Sequence, residues 1–157
     1  MINDRNTIFG FILFSQFSRK SEVIVNIKIT GLKKNRCYGF HIHEYGDVSF
    51  QCKSLGLHWN PDEEKHGSRF YNGINRHAGD LINNICSNSF GYFKFVFTDG
   101  LITLYGDNSI VGRSVVLHEN KDDLGLGGLE SKKTGNAGSR IACSIIGIKN
   151  PNYNLDI

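Results

Sequence analysis

The 157-residue sequence contains only two prolines, and no apolar run reaches the roughly 18–20 residues that a membrane-spanning helix needs. Charge of one sign is also missing. The net charge is +3 with a pI near 8.7, and the basic residues are scattered, which argues against a nucleic-acid partner. Helical periodicity is weak throughout, and there is no internal repeat or linker, so the length fits one domain over residues 1–157. The four cysteines form no CxxC pair, which removes a cysteine zinc knuckle. Glycine is abundant instead: eighteen residues, with no collagen period, point to many tight turns. With 39% hydrophobic and 21% charged residues, the composition is that of a soluble globular chain and not a disordered one.

Thr7 to Phe17 is apolar enough to resemble the core of a signal peptide. Asp4 lies in the segment before it, Ser15 and Gln16 interrupt it, and no small-x-small site precedes Arg19. The segment is therefore read as a β-strand. The expected compartment is the cytoplasm, where structural disulfides are uncommon.

Period-2 alternation recurs along the chain. In Glu22 to Thr30, residues Val23, Val25, Ile27 and Ile29 share one face, and in Tyr92 to Thr98 residues Phe93, Phe95 and Phe97 point inward with Lys94 outward. Further strands are expected at Ile8–Gln16, Cys37–His43, Leu101–Tyr105, Ser114–His118 and Ala142–Ile148, separated by turn signals such as Gly31 and Asp99-Gly100. Several short strands at this spacing predict an all-β sandwich or barrel. Two stretches fit no strand: Tyr45 to Ile85, rich in histidine, and Glu119 to Arg140, rich in glycine. Long ordered loops in a compact domain are usually functional.

All six histidines fall at strand ends or in these loops: His41, His43, His58, His66, His77 and His118. His41 and His43 are two apart in a strand, so both side chains leave the same face, while Phe40 and Ile42 face the core. Asp80 follows His77 by three. Imidazoles gathered this way suit copper and zinc, and a carboxylate beside them suits zinc. Spacing alone leaves the kind of metal open, and a single histidine in isolation is more often a surface or hydrogen-bonded residue.

Longer motifs narrow the reading. Gly39 to Asp47 (GFHIHEYGD) resembles the GFHVHEFGD segment of copper/zinc superoxide dismutases. His58 to Pro61 (HWNP), Lys65 to Gly67 (KHG), Arg76 to Leu81 (RHAGDL), Gly112 to Glu119 (GRSVVLHE), Asp122 to Gly125 (DDLG), Lys133 to Arg140 (KTGNAGSR) and Ile145 to Ile148 (IIGI) are similar to that family's segments in the same order. The resemblance covers about residues 8–149. It implies a Greek-key β-barrel or sandwich of seven or eight antiparallel strands, and conversion of superoxide to O₂ and hydrogen peroxide by one-electron cycling of a histidine-bound copper. Position by position it implies copper on His41, His43, His58 and His118, zinc on His58, His66, His77 and Asp80, and His58 as the shared ligand. Asp122 would link His41 and His66, Arg140 would be the active-site arginine, and Lys133 and Thr134 would shape the approach of the anion. Every histidine is then used, which favours a competent enzyme over a silent metal-binding or scaffold module of the same family. A zinc hydrolase fits less well, because four protein ligands close the zinc.

The resemblance also implies a Cys52–Cys143 disulfide, leaving Cys37 and Cys86 as free thiols. It implies a homodimer through Tyr45, Gly46, Val111, Gly112, Ile145 and Ile148, and a copper chaperone is among the partners such an enzyme can use. Two departures stand out. The segment before Gly10 is too short for the family's usual first strand, so that strand is absent or a stub. A tail, Pro151 to Ile157, extends past the usual end, and the tail or a partner subunit is expected to cover the exposed edge.

Overall fold

The computed structural model describes residues 2–3 and 7–152. Its strands are β1 (Ile2–Asn3), β2 (Phe9–Ser15), β3 (Val23–Thr30), β4 (Cys37–His43), β5 (Asn84–Cys86), β6 (Phe93–Asp99), β7 (Ser114–His118) and β8 (Arg140–Ile145). They form two antiparallel sheets, one in the order β1-β8-β7-β4-β5 and the other β2-β3-β6. The sheets do not close into a barrel among the described residues, so the architecture is the open, sandwich form of the predicted class. The segment read as a strand against the signal-peptide alternative is β2.

β3 is the central strand of its sheet, and Val23, Val25, Ile27 and Ile29 are fully buried. Each such side chain contributes roughly 1.5–3 kcal/mol on leaving water. Phe97, Phe95 and Phe93 sit directly opposite Val25, Ile27 and Ile29, on the same face, as the alternation predicts. Because β6 is an edge strand, they are less covered, and Phe95 is 48% exposed. The other sheet supplies Phe40, Ile42, Val115, Leu117 and Ala142 to the same core.

β7 is buried over all five residues, and β4 is buried from its second residue onward. One face of this pair packs on the core. The opposite face carries His41, His43, Val116 and His118, because His41 pairs with Val116 and His43 with Ser114. The two long loops cover that face. A second apolar cluster of Cys52, Leu55, Val116 and Cys143 pins the first loop down, and Cys52 and Cys143 are joined as a disulfide. At the far end of the same loop, a buried ion pair between Arg76 and Asp99, 2.6 Å apart, anchors it to the end of β6.

Four expectations need correction. Leu101–Tyr105 is not a strand. The chain crosses between the sheets there with one isolated bridge, Thr103 to Ser109, and the Gln16 side chain accepts the Leu104 N–H at 2.7 Å in place of a strand partner. β8 ends at Ile145, because Ile146 bonds back to the turn before β7, through Arg113 O and the Gly112 N–H. β5 was hidden inside the first loop, since three residues are too short to show alternation. Finally, Cys37 and Cys86 are not free thiols. They are Cα partners across β4 and β5, 4.0 Å apart, and form a second disulfide.

Among the described residues the first strand is β1, whose Ile2 and Asn3 pair with Cys143 and Ala142 of β8. An apolar groove of about 480 Å³ runs between β2 and the segment 144–149. The tail turns at Pro151-Asn152, and the expectation that it covers this edge concerns residues 153–157, outside the described residues.

Candidate metal centre

Strand geometry sets the first cluster. His41 and His43 project from β4 and His118 from the end of β7, while His58 reaches in from the loop through a bridge between His43 and His58. The ligand atoms of these four buried histidines lie within 4.8 Å of one another. The Nδ1 atoms of His43 and His118 donate to the carbonyls of Gly56 and Gly138 at 3.1 and 3.0 Å. That fixes both rings with the hydrogen on Nδ1, leaving their Nε2 lone pairs facing each other 3.2 Å apart. Two lone pairs at that separation call for a cation between them.

A second cluster shares His58. His58, His66, His77 and Asp80 are all buried, again with ligand atoms within 4.8 Å. Asp80 sits on a single 3-10 turn, Ala78–Asp80. Its Oδ2 accepts the backbone N–H groups of Gly67 and His77 at 3.0 and 3.1 Å. Oδ1 is thereby aimed at the imidazoles, 3.0, 2.9 and 3.2 Å from the Nδ1 atoms of His58, His66 and His77.

Asp122 joins the clusters from behind. Its carboxylate takes the Nε2–H of His41 at 2.6 Å and that of His66 at 2.9–3.0 Å. Both rings are turned so that Nδ1 points into the clusters; the buried Nδ1 of His41 has no hydrogen-bond partner, and that of His66 faces the Asp80 carboxylate at 2.9 Å. Buried polar atoms are rarely left unpaired, so the orphaned His41 nitrogen fits a metal ion in the first cluster, and the His66 nitrogen turned to a carboxylate, with its other ring nitrogen already on Asp122, fits one in the second. Gly135 makes the approach to Asp122 possible. It closes the short helix α1 (Ser131–Thr134) in the left-handed region, at φ 63°, and a Cβ there would collide with the Asp122 carboxylate.

Protonation states follow the same division. Burial and the neighbouring imidazoles push the pKa of His41 and His43 well below the usual 6.5, and burial pushes His118 down to about 4. His58 is lowered too, by burial against the pull of Asp80. Burial also works against charge on His66, but hydrogen bonds to Asp122 and Asp80 outweigh it and raise its pKa to about 9. Burial works against charge on both carboxylates as well, and hydrogen bonds to the histidines hold Asp80 and Asp122 well below the usual range.

The consequence for stability has a definite sign. Below pH 6.5 the unfolded chain protonates His41, His43, His58 and His118, while the folded chain resists doing so. These four lose stability as pH falls from 6.5 towards 4. His66 acts oppositely, stabilising below 6.5 and losing that contribution as pH rises through 9. Four groups outweigh one, so the metal-stripped protein is expected to melt at progressively lower temperature from pH 6.5 to 4. A calorimetric melting temperature flat or rising over that range would contradict this charge assignment.

The first cluster opens on a pocket of about 380 Å³, whose wall includes His43, His58, His118, Lys133, Thr134 and Arg140. Arg140 begins β8. Its guanidinium donates to the carbonyls of Cys52 and Lys53 at 2.9 and 3.1 Å, and also to that of Gly56. The Gly56 carbonyl thus holds both Arg140 and His43. Lys133 lies on α1, 3.9 Å from the Glu130 carboxylate, with both side chains exposed. Sequence reasoning missed Asn83 and Asn84. The Asn84 side chain bonds the Asp122 backbone on both sides, at 2.9 and 2.8 Å, and Asn83 donates to Gly67 O at 2.8 Å. Two adjacent amides among Leu81, Ile82 and Ile85 were the available signal.

The sequence and the fold are both similar to those of known proteins. The family profile described as copper/zinc superoxide dismutase (SODC) matches residues 8–146. A Cu-Zn superoxide dismutase of Dictyostelium discoideum is 50% identical over 140 residues, covering 88% of this chain and 90% of that protein. The extracellular Cu-Zn superoxide dismutase of Drosophila melanogaster is 47% identical over 148 residues, covering 94% of this chain and 80% of that protein. The crystal structure of the clock protein EA4 superposes with a TM-score of 0.84 at 46% identity, covering 92% of this chain and 89% of that one. The cytoplasmic expectation does not stand. A relative this similar is extracellular, and all four cysteines are in disulfides, which belong to oxidising surroundings.

Proposed function

Since the chain belongs to the copper/zinc superoxide dismutase family, we propose that copper is held by His41, His43, His58 and His118, and zinc by His58, His66, His77 and Asp80. The activity is the dismutation of superoxide, and the cofactors are copper and zinc. The observation that carries the site assignment is the place of His58 in both clusters, with Nδ1 turned to Asp80 and the ring at the wall of the pocket. The chemistry supplied by the copper is one-electron exchange, by which one superoxide leaves as O₂ and a second, with two protons, as hydrogen peroxide.

The chain's own residues do the rest. Arg140 holds the incoming anion beside the first cluster, its guanidinium kept in place by the three carbonyls of residues 52, 53 and 56. Lys133 and Thr134 shape the approach, and a focused positive mouth raises association rates by about 10–10³. His58 is a catalytic residue in this reading, because its ring lies at the pocket wall with Nδ1 turned to Asp80, so that Nε2, when not engaged by copper, would hold a proton for the bound anion. Asp122 orients His41 and His66, and four protein ligands leave the zinc closed and structural.

Pulse radiolysis of the copper- and zinc-reconstituted protein tests the reading. A near diffusion-limited decay of superoxide that slows with added salt is expected, with Arg140→Gln about tenfold slower from the loss of anion attraction. A rate equal to the buffer blank with both metals bound would make the chain a metal holder.

The same reading includes a homodimer. Tyr45, Val111, Ile145 and Ile148 are exposed apolar side chains, and Gly46 lies against Gly112 and Ile145, so the patch is continuous. Light scattering at micromolar concentration is expected to give twice 17.6 kDa, and a monomer for Ile145→Lys. A wild-type monomer would remove the dimer from the proposal.

A further inference from the structure

The Cys37–Cys86 disulfide joins β4 to β5, a short edge strand that borders the metal centre. β5 pairs with β4 through only three partners, Cys37 with Cys86, Tyr38 with Ile85 and Gly39 with Asn84. It is an edge strand, without a second neighbour among the described residues. A three-residue edge held by one ladder is a poor anchor on its own.

β5 nevertheless carries the grip on Asp122. The disulfide closes one end of the ladder, and Asn84 closes the other. Asn84 Nδ2 donates to Asp122 O at 2.9 Å, and Asn84 Oδ1 accepts the Asp122 N–H at 2.8 Å. The preceding residue, Asn83, donates to Gly67 O beside His66, and its own carbonyl accepts the Phe40 N–H beside His41 at 2.7 Å. Asp122 then holds Nε2 of both His41 and His66. A chain of direct contacts therefore runs from the disulfide through Asn84 to one ring of each metal cluster.

We propose that the Cys37–Cys86 disulfide is a clasp that fixes β5 on β4 and so positions Asp122, which orients His41 and His66 for their metals. The clasp rests on the ligand reading above. Cys37, Cys86 and Asn84 are positioning residues. They touch neither metal nor substrate, and their effect is on how long the ions are retained and how the copper is coordinated.

The test uses the metal-loaded protein and compares Cys37→Ala/Cys86→Ala, Asn84→Ala and the triple variant with the parent. Ile29→Val, a core methyl deletion in the other sheet, controls for general destabilisation. Zinc release to a chromogenic chelator and the copper electron paramagnetic resonance spectrum are recorded. Opening the clasp is expected to speed zinc release about tenfold and to shift the copper signal, as loss of an outer partner of a metal ligand does. Asn84→Ala should do the same, and the triple variant should add little to either. Ile29→Val should leave the copper signal unchanged. Release rates and spectra equal to those of Ile29→Val would overturn the clasp, as would effects of the disulfide and Asn84 that simply multiply. Failure of the parent to hold zinc would overturn the ligand reading and the clasp with it, whereas a parent that holds zinc beside an unaltered Cys37→Ala/Cys86→Ala variant would overturn the clasp alone.

Discussion

His58→Ala is expected to lower the superoxide decay rate of the metal-reconstituted protein by at least about 10³, since losing even an outer partner of a metal ligand costs about 10–100-fold. Among the described residues no other side chain belongs to both clusters. Its removal leaves each proposed site one ligand short and takes away the group placed to carry a proton to the anion. Zinc content should fall with the activity, which separates this variant from Arg140→Gln, where both metals stay bound. The fold should survive. His58 is buried with a lowered pKa, and its ring lies 4.0 Å from His41 and 5.0 Å from His43, centroid to centroid, so its loss relieves crowding among cations in acid. Unfolding of the metal-free variant by urea checks this point. A His58→Ala protein that keeps both metals and more than a tenth of the parent rate would refute the shared-ligand arrangement.

The site was legible in the sequence wherever chemistry and periodicity coincide. His41 and His43 share a face because a strand alternates, and Phe40 and Ile42 turn to the core for the same reason. Asp80 follows His77 by three and is set beside it through the family resemblance, and the structure joins the two across the single turn Ala78–Asp80. What stayed hidden depends on contacts across long separations. Cys37 and Cys86 are 49 residues apart, and only the antiparallel register of a strand too short to detect sets them face to face. The carbonyls of Gly56 and Gly138, which fix the tautomers of His43 and His118, are backbone atoms, and every residue type offers one. Leu101–Tyr105 showed the opposite error. Its alternating Leu, Thr and Tyr pattern mimics a strand, but Gln16 takes the backbone partner and the chain crosses between sheets instead.

Removing the other disulfide, by Cys52→Ala/Cys143→Ala, should destabilise the protein and disable the proposed anion site together. Closure of a 91-residue separation contributes about 4–5 kcal/mol in the chain-entropy account, and both cysteines also pack in the small cluster with Leu55 and Val116. Equilibrium urea unfolding of the metal-free protein measures that part. The second effect follows from what the loop carries. Among the described residues the Arg140 guanidinium donates to the carbonyls of residues 52, 53 and 56, and the last of these also fixes His43. If the disulfide keeps those carbonyls in register, its loss lets the guanidinium swing from the pocket while the ligands remain, and superoxide decay should slow about tenfold, as for Arg140→Gln, through lost anion attraction. Azide titration of the copper absorption should then show a matching loss of anion affinity at unchanged copper content. The competing source of order is the backbone, through Tyr45 N–H to Leu55 O at 3.0 Å and Glu44 N–H to Leu57 O at 2.9 Å. If these bonds suffice, the variant will unfold more easily yet bind azide as tightly as the parent. Stability and anion affinity lost together identify the disulfide as the element that carries the order of the loop to Arg140.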